Sequence, residues 1–293
     1  MFLAAGTDRY RAGVDESHRV EDGGSGRMNA FTLYRRMAGA SIKAQLRYPG
    51  TFALQLVGNF VTTLLSFFGI WSLFHRFGSI AGWDIGAVAV LYGLVNVSFS
   101  VAETLGRGFD VFGSEYVKTG SFDRLLLRPR STLVLLLGHE LRLRPIGRFL
   151  QGAFVLGAGF WLSPHVSWNT VWLLPWAVAG GAVMFLGILI GQAALCFITV
   201  EGLEVVNVLT YGGMEAGQYP ITMFARWLRR FLTWALPLSA VCYYPTLAML
   251  NHPDPLGMPL WFGLLSPAMG FIFLALMVLW WRRGVAGYVS SGS

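Results

Sequence analysis

Apolar residues in this chain come in long uncharged runs, neither alternating nor in short blocks. Residues 51–74 carry no charge over 24 positions, enough at about 1.5 Å per residue to cross the roughly 30 Å hydrocarbon core of a bilayer. A second run between Asp84 and Glu103 predicts a span at about 84–105, with its acids near the two interfaces. No Lys or Arg occurs between Arg148 and Arg226, and that interval must hold more than one crossing. We place spans at 146–163 and 171–200, separated by the polar turn Ser163-Pro-His-Val-Ser-Trp-Asn169. The second of these is long enough to require tilt. A weakly apolar fifth span is expected at 203–224 and a last one at 260–281, closed by Arg282 and Arg283. Residues 225–250 are apolar but broken by Pro237 and Pro245. Such backbone is tolerated at membrane depth only when buried in protein or lining a cavity, which predicts a re-entrant segment.

The basic residues then orient the chain. Residues 27–47 hold five Lys/Arg, 106–148 hold eight and the tail two, while the loops after the first and third spans hold one and none. The positive-inside bias therefore puts both termini and the basic loop in the cytoplasm. Arg226, Arg229 and Arg230 run against this bias, because six spans place them outside. From Asn29 a helix would set Phe31, Tyr34, Ala38, Ile42 and Leu46 opposite Arg36, Lys43 and Arg47, predicting an interfacial amphipathic helix at 29–48 that ends at Pro49. Residues 1–28 are polar and charged, without an apolar run. They are expected to be a disordered extension, with Met28 as an alternative start.

Composition agrees with an integral membrane protein: 55% hydrophobic and 13% charged, against roughly 25% charged in soluble domains. The net charge of +7 sits beside apolar runs, as orientation signals and lipid headgroup contacts do, so nucleic acid is set aside and membrane lipids are expected partners. Cys196 and Cys242 have no ligand or redox spacing and read as buried small residues. The chain has no phosphate-binding loop, no His-Glu-x-x-His and no Cys-x-x-Cys. It is therefore not read as an enzyme, no cofactor is expected on it, and any energised work needs another subunit.

Gly187-Ile-Leu-Ile-Gly191 fits small-xxx-small helix packing, though 36 glycines also produce such spacings by chance. Glu215 is either an intramembrane acid with a transport role or an interfacial carboxylate paired with Arg226 or water. Tryptophans near the span ends read as interfacial anchors. The loop at 106–145 has more than orientation requires. It is long, and Phe109, Phe112, Tyr116, Val117, Phe122 and 125–127 interleave with its charges. That pattern suits a short amphipathic element whose apolar residues anchor a soluble partner.

The string Lys118-Thr-Gly-Ser-Phe-Asp-Arg-Leu-Leu-Leu-Arg-Pro129 resembles the segment after the second span of type-2 ABC exporter permeases, with its Gly-(small)-x-(acidic)-x-Leu-Leu-x-x-Pro pattern. Arg107-Gly-Phe-Asp110, Leu209-Thr-Tyr-Gly-Gly213, Gln218-Tyr-Pro220, Arg226-Trp-Leu-Arg-Arg230, Pro237-Leu and Tyr243-Tyr-Pro245 are similar to a bacterial branch of that group. The likeness covers about residues 30–293. It implies an all-α permease domain at 49–293 with six transmembrane helices, a cytoplasmic coupling helix between spans two and three, and an outer re-entrant pair. It further implies a dimer with a second permease and a separate ABC ATPase subunit, with ATP and magnesium bound there, in the bacterial cytoplasmic membrane. ATPase-coupling contacts are expected at Phe109, Glu115, Tyr116, Lys118, Phe122, Asp123 and Arg124, and helix packing at Gly187 and Gly191. The competing reading is a stand-alone secondary transporter or channel working through intramembrane acids.

Overall fold

A computed structural model of the chain describes residues 30–80, 82–128, 130–139, 141–164, 166, 170–199 and 203–288. Every regular element among them is helical, apart from an isolated bridge between Ile80 and Trp83. The extension expected at 1–28 lies outside the described residues.

Helix α1 (Ala30–Leu46) keeps Arg35, Arg36, Lys43 and Arg47 or its flank exposed and half-buries Tyr34, Ala38 and Ile42. It is not free of the rest. Gln45 grips the linker before the third long helix, its Oε1 accepting from the Leu143 amide at 2.8 Å and its Nε2 donating to the Leu141 carbonyl. Helix α2 (Pro49–Phe77) begins with Pro49, whose fixed φ suits a first turn, and ends at Gly78 with φ +74°. Helix α3 (Ile85–Asp110) is capped by Asp84, which accepts the Ala87 amide at 2.7 Å. Short helices α4 (Phe122–Leu126) and α5 (Thr132–His139) follow. Then come α6 (Ile146–Leu162), α7 (Leu173–Leu195) and α8 (Leu203–Gly217).

Residues 225–250 form two short arms that meet at Pro237. The first arm is α9 (Arg226–Arg230), continued by a π turn at Phe231–Ala235; the second is a π turn at Ser239–Tyr243 leading into α10 (Tyr244–Met249). Helices α11 (Leu260–Leu265) and α12 (Ala268–Ala286) close the chain. Among the described residues four helices are long and apolar enough to cross a membrane: α2, α3 with its π extension, α7 and α12. α6 is apolar but only 17 residues long, and α8 has 15.

The remaining boundaries depart from the apolar runs where hydropathy is blind to local geometry. The fourth run ends as helix at Leu195, with turns through 196–198. The fifth ends at Gly217 because Pro220 follows, leaving Ile221–Met223 as a 3-10 turn. The last splits at Pro267, and Arg282 and Arg283 fall inside α12 rather than after it.

α3 is the central helix: 89% of its apolar window is buried, against 11% for α2 and for α12. It packs chiefly on α6 and α7, while α12 packs on α7. Glycine makes both seams close. A Cβ on Gly93 would lie 2.4 Å from the Leu156 Cβ, one on Gly152 2.9 Å from the Asn96 Cβ, and one on Gly159 2.6 Å from the Val90 amide nitrogen. Gly93 and Gly159 have partners at seven-residue spacing, Gly86 and Gly152, so each helix offers one bare stripe to the other.

Candidate functional site

The loop that carries most of the basic residues is built as a continuation of α3. Past Asp110 the helix widens into a π segment, Phe112–Val117. It turns at Gly120, whose φ of +66° lies in the left-handed region that glycine enters without strain. The hydroxyls of Thr119 and Ser121 both donate to the Glu115 carbonyl, fastening this turn to the end of the π segment. α4 and α5 then fold back, and α5 lies so near α3 that a Cβ on Gly108 would sit 2.3 Å from the Leu136 carbonyl oxygen.

The aromatic residues expected to face a partner point into the chain instead. Phe109, Phe112, Tyr116 and Phe122 are buried in one cluster with residues of α7 and α12. Trp281, fully buried, is its hub: its ring centroid lies 4.9 Å from Phe112, 5.5 Å from Phe109 and 5.2 Å from Phe197. Phe122 meets Phe112 edge-on at 5.0 Å and Tyr288 at 5.0 Å. The Trp281 indole N–H also donates to the Thr132 hydroxyl at 3.3 Å. Asp123 accepts a hydrogen bond from the Tyr288 hydroxyl; burial and that neighbouring carboxylate raise the Tyr288 pKa, keeping the phenol a donor. Spacing could have revealed this. Phe109, Phe112 and Tyr116 stand at i, i+3 and i+7, the period of a buried helical face, while Ser114 and Lys118 fall on the exposed side.

What remains outward is a polar rim with one apolar projection. Ser114, Glu115, Lys118, Thr119, Arg124 and Arg128 are exposed. Glu115, Ser121, Arg124 and Arg128 border a cleft of about 330 Å³ floored by Tyr116 and Leu125. Leu127, within the run 125–127 expected among the anchoring residues, is 83% exposed. Thus Glu115, Lys118 and Arg124 share one surface, with Asp123 at its edge, and Phe109, Tyr116 and Phe122 are the base beneath it. Two ion pairs stiffen the approach: Arg107 with Asp110, and Arg148 of α6 with Glu103 of α3 at 2.9 Å. The Arg148 guanidinium also lies 5.0 Å over the Phe99 ring.

Gly187 and Gly191 both face α12: a Cβ on them would lie 2.9 Å from Phe273 and 2.7 Å from the Met277 sulfur. Their packing partner is therefore within the chain. Glu215 is exposed in the last turn of α8 and forms no ion pair with Arg226, contrary to the pairing considered above.

At the far end of α3, Trp83 stacks on His252 at 5.7 Å and on Tyr243 at 5.4 Å. The proline-broken arms therefore sit opposite the basic rim, roughly 40 Å away along the helix.

The family model for ABC-2 family transporter proteins matches residues 60–292. No curated protein matches the chain. No solved structure matches it either.

Proposed function

The chain belongs to the ABC-2 family of transporter proteins, and from that premise we propose that it is the membrane-spanning permease subunit of an ATP-driven exporter. In this reading a separate ABC ATPase binds the rim at 114–128 from the cytoplasm and holds ATP and magnesium itself. A second permease, identical or related, completes the translocation path, and both termini are cytoplasmic in a bacterial plasma membrane. α6 and α8 then serve as the two short spans that bring the crossings to six, α1 lies in the interface, and the arms at 225–250 re-enter from the outer side.

One observation carries the proposal. The rim is an exposed leucine ringed by charges, set on an aromatic base that joins the ends of α3, α7 and α12. An apolar residue held out into water on a rigid support is what a partner groove requires. The rings make the support stiff, so a push on Leu127 or Arg124 reaches three long helices together.

The test is co-purification of the ATPase with the intact protein from native membranes. Leu127→Asp combined with Glu115→Lys should reduce the captured ATPase at least tenfold while leaving thermal unfolding of the permease unchanged. Undiminished capture would remove the rim as the docking surface. If the native protein brings down no ATPase and moves solute with an ion gradient alone, the stand-alone transporter is correct instead.

A further inference from the structure

Three guanidinium groups converge at the end opposite the rim. Arg226, Arg229 and Arg230 line a cleft of about 420 Å³ that is also walled by Trp234, Tyr244 and Leu256. Among the described residues none of the three pairs with a carboxylate, and the Arg229 Nε is buried without a hydrogen-bond partner. Asp254, bound to Met258 of the cleft wall, is already engaged: one oxygen accepts from the Tyr243 hydroxyl at 3.1 Å and the other from the Met258 amide at 3.2 Å. Three like charges held together repel, and a buried N–H left unbonded costs free energy, so an anion in the cleft would relieve both.

The walls indicate which anion. Guanidinium forks match the oxygens of phosphate in both charge and geometry. Trp234 is 62% exposed and the neighbouring Trp227 71% exposed, amphipathic rings of the kind that settle at headgroup depth. We propose that this cleft binds the phosphate headgroup of an anionic lipid, with the acyl chains running along Trp234 and Leu256. The same anion accounts for three arginines on the side that the positive-inside bias disfavours.

Native mass spectrometry of the detergent-purified full chain tests this, with phosphatidylglycerol, phosphatidylcholine and glycerol 1-phosphate as separate probes. The unmodified protein should prefer phosphatidylglycerol over phosphatidylcholine by at least tenfold. Arg226→Gln/Arg229→Gln/Arg230→Gln should weaken phosphatidylglycerol binding by roughly two orders of magnitude, at about 1 kcal/mol per basic residue. The triple lysine variant, which keeps the charge, should retain the preference within a few-fold and so controls for misfolding. No preference, or one that the glutamine variant keeps, overturns the site. Glycerol 1-phosphate binding as tightly as the lipid overturns the lipid as source and assigns a soluble phosphate. No ATPase is needed, so the outcome is independent of the exporter reading.

Discussion

Both ends of α3 are closed by aromatic rings, yet the frames that hold those rings differ. At the rim end, Phe109, Phe112 and Trp281 sit on α3, its extension and α12, elements continuous with long helices, and converge on one indole. At the other end, Trp83, Tyr243, Tyr244 and His252 sit on a turn and on segments of five or six residues. Burial is nearly complete in both places, His252 excepted. What differs is the backbone: Phe109 and Trp281 stand on long helices, whereas Tyr243, although its π turn also packs on α3, α7 and α12, stands on a short segment that breaks at Pro237 within a few residues. The rim end is therefore carried on continuous helices and the far end on a broken one held by burial.

The strongest way to break this contrast is Trp281→Ala. Removing the hub should destabilise the protein by about 3–5 kcal/mol, with hydrogen exchange rising sharply across 112–126 while 239–249 stays protected. Equal loosening of both regions would show that they are one cooperative unit. Next in size is Gly120→Ala. Forcing a Cβ into a φ of +66° should cost about 1–2 kcal/mol, seen as a lower unfolding temperature, with faster exchange confined to the rim. Tyr243→Phe removes one hydrogen bond to Asp254 at the far end. It should cost about 1 kcal/mol, with faster exchange at 251–258 only; a change at the rim would show the two ends to be coupled. Leu127→Ala should be the mildest, within about 0.5 kcal/mol in denaturation, because the side chain touches mainly water.

The helices that hydropathy reads well are those that meet lipid or core along their whole length. The uncharged runs at 51–74 and 85–102 stand inside α2 and α3, since a bilayer leaves little choice to such runs. Direction is harder to read than existence. The charges between Phe109, Phe112 and Tyr116 predict partner anchors, but charge density carries no information about which face turns inward. The seven-residue spacing carried it, but a π segment displaces that register and Gly120 then reverses the chain. The run 125–127 shows the opposite case: its three leucines are alike in composition and read together as anchors, yet only Leu125 is buried and Leu127 projects outward. The glycine seam between α3 and α6 was legible in principle, as Gly86, Gly93, Gly152 and Gly159, but its period of seven lies outside the small-xxx-small spacing that pointed to Gly187 and Gly191.

That seam also acts as a seal. Where two backbones approach until no Cβ fits between them, water has no channel and an ion no shell of ligands, so α3 and α6 form a watertight wall through the middle of the subunit. The translocation path proposed above therefore does not run between α3 and α6.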